Sequence, residues 1–145
     1  MISDDIKATG ALHIQLFDKS GAPKESMTVK NLVVTVGKQF IAARMVGTPT
    51  AMSHMAIGAS STPAAIGDTA LGSELGRVAL DSAISTGAVV TYVATFGPGV
   101  GTGGVVEAGI LNAASSGTLL CRTVFAVVNK GADDTMAITW TITVS

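Results

Sequence analysis

The sequence has few of the residues that staple a small fold together or build a metal site. Its 145 residues include one cysteine, Cys121, and aromatic residues make up only 4% of the chain. A single cysteine excludes an internal disulfide and any zinc site built from clustered cysteines. Because aromatic rings are scarce, the core must be built mainly from Val, Ile, Leu, Ala and Met. We expect Cys121 to pack as a small apolar residue inside a strand.

Charge of either sign is also scarce, and the formal net charge is only -1. Proteins that bind nucleic-acid phosphates concentrate Lys and Arg on one face, so we expect no nucleic-acid partner. The N-terminus lacks a basic region followed by an apolar run, which a signal peptide would require. No segment approaches the roughly eighteen uninterrupted apolar residues of a membrane-spanning helix. We therefore expect a protein that is made in the cytoplasm and has no membrane partner.

What the sequence does contain is typical of short strands joined by turns: 48% hydrophobic residues and seventeen glycines. At the C-terminus, apolar residues alternate with Ala and Thr, which predicts a half-buried strand with Trp140 on its core face. Leu12, Ile14 and Leu16 repeat this alternation near the N-terminus. Further strands are predicted near 26–35, 52–58, 76–85, 88–97, 104–112 and 118–128.

About eight strands without alternating helices predict an all-β fold, an antiparallel β-sandwich or jelly roll. We expect residues 1–145 to form one domain, with residues 1–5 as a candidate extended arm. One short helix is predicted over 38–46, with Gly37 before it and Gly47 after it. This helix would cover an open end or edge of the sandwich.

Two glycine-rich stretches superficially resemble phosphate-binding loops. The stretch 58–63 lacks the Lys and Ser/Thr that follow the last glycine of a P-loop, and its serines lie in no G-x-S-x-G elbow. The stretch 97–104 precedes a strand, whereas a pyrophosphate site needs a helix N-terminus there. We expect Gly58 to end a strand, Asp68 to cap a short helical turn over 69–74, and 97–104 to form a flexible hairpin tip. No catalytic residue or cofactor is assigned, and the protein is not expected to be an enzyme.

His13 and His54 lie on different predicted strands, and no third ligand is spaced around either of them. We therefore expect no metal site. The acidic pairs at 4–5 and 133–134 lie in predicted terminal or loop positions, where solvation and turn capping explain them.

Two charged residues interrupt otherwise apolar strands. If the strands that carry Glu107 and Arg122 are neighbours, these side chains can form a buried ion pair across the ladder. Such a pair would fix the register of the strands more than it would add stability. Glu74 and Arg77 could form a second, exposed pair, which would contribute little.

From about Met27 to Ser145, the chain resembles small virion proteins of tailed bacteriophages. The similarity lies in the order and spacing of short segments rather than in any one of them. They are NLVVTVG at 31–37 leading into a helix, HMAIG at 54–58, DTAL at 68–71, ELGR at 74–77, EAGI at 107–110, CRTVF at 121–125 and ITW at 138–140. Within that group, the chain is most similar to capsid decoration, or cement, proteins of the jelly-roll type.

This resemblance implies a structural protein on the capsid surface, which binds the major capsid protein and bridges neighbouring capsomers without an active site. A homo-oligomer is expected, with a dimer favoured. We place the partner contacts on three expected exposed segments: Met1, Ile2 and Ser3; Ser60, Ser61, Thr62 and Pro63; and Pro98, Val100 and Thr102.

Two alternative functions remain. The same resemblance fits a tail, baseplate or fibre component. A carbohydrate-binding module shares the sandwich architecture, but such modules usually present a platform of aromatic rings. One Trp and one Tyr make that alternative the weakest.

Overall fold

A computed structural model of the chain describes residues 6–145. Strands make up 54% of the structure and helix 7%. Within the described residues there are nine strands and one helix. In chain order they are β1 (Ala8–Phe17), β2 (Pro23–Val33), α1 (Thr35–Arg44), β3 (His54–Gly58), β4 (Glu74–Ala79), β5 (Ser82–Thr86), β6 (Val89–Phe96), β7 (Gly103–Leu111), β8 (Leu119–Lys130) and β9 (Thr135–Val144).

The nine strands form one curled antiparallel sheet, in the order β4-β3-β7-β8-β2-β1-β9-β6-β5. β2 joins its two halves, because it pairs with β1 along most of its length but with β8 only at Leu32 and Val33. Around this short link the half β4-β3-β7-β8 packs against the half β2-β1-β9-β6-β5. The prediction of an all-β antiparallel sandwich or jelly roll with one short helix is confirmed.

The core lies between the two halves and is built by the alternation seen in the sequence. On β9, Ile138 and Trp140 are fully buried while Thr139 between them is exposed. Met55 and Ile110 face them from the other half of the sheet. Because successive side chains of a strand point to opposite faces, a period of two places one apolar row in the core. Each fully buried side chain of this size contributes about 1.5 to 3 kcal/mol.

Helix α1 packs against β8 and begins three residues earlier than the sequence predicted. Gly37 therefore lies inside the first turns of the helix, not before it. A side chain at Gly37 would collide with the backbone carbonyl of Leu120, so glycine allows the helix to approach the strand closely. Phe40 and Leu120 line one wall of a cavity whose other wall includes Val90 and Ile142. The helix thus covers the opening between the two halves of the sheet.

The single strand predicted over 76–85 is wrong, since the chain forms two strands there. Leu80 donates its backbone N–H to Ser53 O at 2.9 Å, and Asp81 donates its own to Val93 O at 2.7 Å. Ser53 precedes β3 and Val93 lies on β6, so the chain passes from one half of the sheet to the other between β4 and β5. Nine strands result instead of about eight.

Candidate functional site

The most elaborate surface feature is the loop of residues 59–73, which joins β3 to β4 and which we call the β3–β4 loop. It folds back over the outer face of β3, β7 and β8. Leu71 from the loop packs there on a small apolar cluster separate from the main core. The buried members of that cluster are Val34, Ala56, Leu111 and Leu119. The loop is therefore packed against the sheet.

Glu107 on β7 holds the loop from beneath through its fully buried carboxylate. Its Oε2 accepts the backbone N–H groups of Ser60 at 2.9 Å and Ser73 at 2.8 Å. Its Oε1 accepts the N–H of Gly72 at 2.8 Å and the Nε–H of Arg122 at 3.0 Å. One carboxylate thus joins both ends of the loop to the sheet.

Arg122 on β8 is 2% exposed and divides its donors among three acceptors. Besides the bond from Nε to Glu107, Nη1 donates to Asp68 Oδ2 at 2.9 Å and Nη2 donates to Thr62 O at 3.0 Å. Since Gly109 of β7 stands opposite Arg122, the contact with Glu107 is diagonal across the ladder. The structure brings the two residues together as the sequence suggested, but the guanidinium makes one hydrogen bond to Glu107 and two to the β3–β4 loop.

Small residues make room for this buried cluster. A Cβ at Gly58 would lie 2.5 Å from Glu107 Oε2, and one at Gly72 would collide with the side chain of Ser60. A Cβ at Gly109 would lie 2.9 Å from a methyl carbon of Leu71. Gly58 therefore leaves room for the Glu107 carboxylate, whereas Gly72 and Gly109 leave room for the packing of the loop on the sheet.

The loop keeps Glu107 ionised. Burial by itself raises the pKa of this carboxyl group, but the bonds from the N–H groups of Gly72, Ser60 and Ser73 and from Arg122 outweigh that effect. The net result is a pKa below the ordinary value of 4.5. Glu107 is thus a carboxylate with four donors around it.

The predicted helical turn over 69–74, capped by Asp68, is wrong. Residues 69–73 contain no helix, and β4 begins at Glu74. The Asp68 carboxylate instead accepts the backbone N–H of Ala65 at 2.9 Å, and the same Oδ2 accepts from Arg122. The Asp68 carboxylate thus binds a preceding N–H and Arg122, both through Oδ2.

The outer surface of the β3–β4 loop is open to solvent. Ser61, Thr62 and Pro63 are exposed, and Ser60 is half-buried. Ile66 is 62% exposed, although its backbone O accepts the N–H of Thr35 at 2.8 Å. Ile66 was not predicted as a contact residue, although its signal is a large apolar side chain among small and polar ones. The loop therefore presents an apolar side chain on a backbone that is held at several points.

The predicted flexible hairpin tip at 97–104 is also wrong. β6 and β7 are not neighbours in the sheet, so residues 97–102 connect the two halves of the sandwich. Lys130 Nζ donates to Gly97 O at 2.8 Å, and the N–H of Gly99 donates to Ala132 O at 2.9 Å. Of the predicted contact residues, Pro98 and Thr102 are exposed, whereas Val100 is half-buried and packs against the core.

The predicted contact residues Met1, Ile2 and Ser3 lie outside the described residues. The acidic pair at 4–5 does so as well.

Glu74 and Arg77 form the expected local pair, but it lies on β4 and is less exposed than predicted, since the Arg77 side chain is 10% exposed. Arg77 Nη2 lies 2.7 Å from Glu74 Oε1 and Nε lies 3.1 Å from Oε2. The remaining Nη1 donates to the backbone carbonyls of Ala113 and Ser116, both at 2.9 Å. This pair thus ties the edge strand β4 to the turn between β7 and β8.

The other chemistry-bearing side chains are dispersed. His13 Nδ1 lies 3.1 Å from Thr28 Oγ1, and His54 Nδ1 lies 2.7 Å from Ser53 Oγ. Over residues 6–145, no three His, Cys, Asp or Glu side chains are grouped as they would be around a metal ion.

Cys121 is fully buried in the core, and this burial raises the pKa of its thiol. Helix α1, the one helix over residues 6–145, is not long and apolar enough to cross a membrane.

Comparison of the chain with protein-family models, curated proteins and solved structures finds no match in any of the three.

Proposed function

We propose that this protein is a structural virion component that binds the outside of a bacteriophage capsid and stabilises the shell by bridging capsomers of the major capsid protein. The observation that supports this proposal is the β3–β4 loop, which is anchored through Glu107 and Arg122 and exposes Ile66. Ordering a flexible loop on binding costs free energy and weakens the affinity. This cost is smaller for a loop that is already ordered, so the β3–β4 loop suits a contact surface.

The internal use of charge in the site supports a structural role. Glu107 accepts four hydrogen bonds from the protein, and Arg122 donates to three different residues. These groups have little capacity left for a substrate. The resemblance of the sequence to virion proteins implies the proposed partner, the major capsid protein.

Stabilisation of the shell follows from mass action. A protein that binds the expanded shell and not its dissociated or unexpanded states lowers the free energy of the expanded state by RT ln(1 + [L]/Kd) at every site. A shell offers many equivalent sites, so a modest interface per copy is enough. If each bound unit contacts two capsomers, the second contact is intramolecular and strengthens the first.

A carbohydrate-binding module would need an exposed aromatic platform, and neither the tryptophan nor the tyrosine of this chain provides one. Trp140, the only tryptophan, is fully buried, and Tyr92, the only tyrosine, is 9% exposed. Co-sedimentation with shells and with isolated tails distinguishes the capsid proposal from the tail, baseplate or fibre alternative.

The proposal is tested by co-sedimentation of the purified protein with expanded shells that lack it, run beside isolated tails. We expect saturable binding to shells, with a number of copies per particle that reflects the shell's symmetry. Ile66→Asp should weaken binding about tenfold, since it removes an apolar contact and buries a charge. Val127→Asp is the matched control, because Val127 is also an exposed apolar residue but lies on β8, outside the loop.

Binding to tails alone would assign the protein to the tail. Binding to neither particle would contradict both functions that the resemblance implies.

A further inference from the structure

Over residues 6–145, the curled sheet ends in two edge strands, β4 and β5, which are consecutive in the chain. An edge strand presents unpaired backbone N–H and C=O groups that can template pairing with another strand. Natural proteins protect such edges with charges, prolines or covering segments. The two edges of this sheet differ sharply in that protection.

β4 is the protected edge. It carries the Glu74–Arg77 ion pair, and the Arg77 guanidinium also binds two carbonyls of the β7–β8 turn. A second strand approaching β4 would meet the partly exposed carboxylate of Glu74, whose side chain is 35% exposed.

β5 is the unprotected edge. Its five residues, Ser82–Thr86, include no charge and no proline. All of them except Ser82 are exposed, and Ile84 in the middle is 59% exposed. β5 therefore keeps an apolar side chain and uncharged neighbours on an open edge.

The hairpin turn shows which backbone groups of β5 face outward. Gly87, with a φ of 58°, and Ala88 form a two-residue turn between Thr86 and Val89. The hydrogen bond that closes such a turn joins Thr86 to Val89. Bonding alternates along an antiparallel pair, so Ile84 also bonds to β6. The N–H and C=O groups of Ala83 and Ser85 then point away from the sheet.

We propose that β5 is a pairing edge for a second copy of this chain, with the two β5 strands antiparallel about a two-fold axis at Ile84. Ala83 would exchange both backbone hydrogen bonds with Ser85 of the partner subunit, and Ser85 would do the same with Ala83 of the partner subunit. Ile84 then faces Ile84 of the partner subunit in the closely spaced, non-hydrogen-bonded position.

The strand is complementary to itself in this register. Ser82 stands opposite Thr86 of the partner subunit, and Asp81 stands opposite Gly87 of the partner subunit, so no like charges meet. The five-stranded half β2-β1-β9-β6-β5 would continue into its copy as one sheet. A charged or proline-rich partner strand would not fit this edge as well as β5 itself does.

This inference does not depend on the proposed binding to a capsid, although a two-fold dimer would carry two β3–β4 loops and could contact two capsomers. Its test uses the full chain in solution, without shells. The dimer can therefore be overturned while the capsid proposal stands, and the reverse also holds.

The first test is sedimentation velocity of the wild type and of two β5 variants over a range of concentrations. We expect a concentration-dependent dimer. Ser85→Pro removes an outward N–H from each copy without disturbing the β5–β6 ladder, and it should weaken the dimer about tenfold or more. Ile84→Lys places like charges opposite each other and should give a monomer. Leu75→Lys changes an exposed apolar residue of β4 and should leave the dimer intact.

The second test is disulfide cross-linking under mild oxidation. Ile84→Cys should cross-link rapidly, because its Cβ atom would lie about 4.5 to 5.5 Å from its counterpart. Thr86→Cys is the matched control on the same face of the strand. In the proposed register, the two copies of this residue lie four residues apart along the strand. That separation is about 13 Å, too far for a disulfide. Buried Cys121 does not compete.

A wild type that stays monomeric at every concentration would overturn the proposal. So would a dimer that survives both β5 substitutions, or cross-linking of Ile84→Cys that is no faster than that of Thr86→Cys.

Discussion

At the scale of single residues, Glu107 and Arg122 are two buried charges whose partners come from separate parts of the chain. Their contact was predicted from the charge that each places in an otherwise apolar strand, on the condition that the two strands are neighbours, and β7 and β8 do pair. The rest of the cluster was not predictable. Three of the donors to Glu107 are backbone N–H groups, and a sequence does not show which backbone groups will donate. Asp68 was interpreted as a helix cap from the residues next to it, whereas its partner Arg122 is distant in the chain.

We predict that Glu107→Gln lowers the free energy of unfolding by about 3 to 5 kcal/mol, because Arg122 loses a buried counter-charge and one amide group replaces two acceptor oxygens. Urea unfolding of the variant measures this change. In a double-mutant cycle with Arg122→Met, the double variant should be more stable than the sum of the single effects predicts. Strictly additive effects would mean that the two residues do not act as a pair.

The depressed pKa of Glu107 predicts a specific dependence on pH. Its stabilising contribution is complete above the unfolded value near 4.5 and is lost as the pH falls through the lower folded value. The stability gap between the wild type and Glu107→Gln should therefore narrow on acidification from neutral pH. The same comparison cancels the acid sensitivity of Asp18 and Asp134, whose pKa values are lowered mainly by Ser20 and Lys24. A gap that stays constant down to pH 2 would contradict this account.

At the scale of elements, alternation and turn residues located most strands, and the bounding glycines located the helix, but several boundaries and connections were misplaced. Gly37 was interpreted as the residue before the helix because glycine is a poor helix former. Its position inside α1 is explained by the Leu120 carbonyl, a contact between segments far apart in the sequence. The stretch 97–104 was interpreted as a hairpin tip because its composition suits a turn. Composition does not reveal that β6 and β7 lie in different halves of the sheet.

We predict that Gly37→Ala destabilises the protein by about 1 to 3 kcal/mol, since the added methyl group must displace α1 from β8. Helix propensity alone predicts the opposite sign, a gain of about 1 kcal/mol. Thermal and urea unfolding decide between the two. Lys38→Ala, at an exposed position one residue later in the same helix, is the control and should change the stability little. A Gly37→Ala variant that is more stable than the wild type would show that the helix does not depend on this close approach.

At the scale of the whole molecule, the fold class followed from composition and strand spacing, but the curl of the sheet did not. The curl depends on β2, which changes partner from β1 to β8 within its last residues. It also depends on Leu80 and Asp81, where the chain crosses from one half of the sheet to the other and where the sequence pattern predicted one continuous strand. Both features are decided by which strands pair at long range, and this information is absent from local periodicity.

The curled sheet supplies the geometry on which the proposed function rests. The outer face of β3, β7 and β8 carries the anchored loop, while β5 forms a free edge of the other half. A contact surface and a self-pairing edge on different parts of one small protein would suit a bridge between equivalent sites. The central claim is therefore that the β3–β4 loop binds and stabilises an expanded capsid shell.

The most direct test of that claim is the melting temperature of expanded shells, measured by scanning calorimetry with saturating wild-type protein, Ile66→Asp or Val127→Asp. The account predicts that the wild type and Val127→Asp raise the melting temperature of the shell, and that Ile66→Asp at the same concentration raises it much less. A shell melting temperature that saturating wild-type protein leaves unchanged would contradict it.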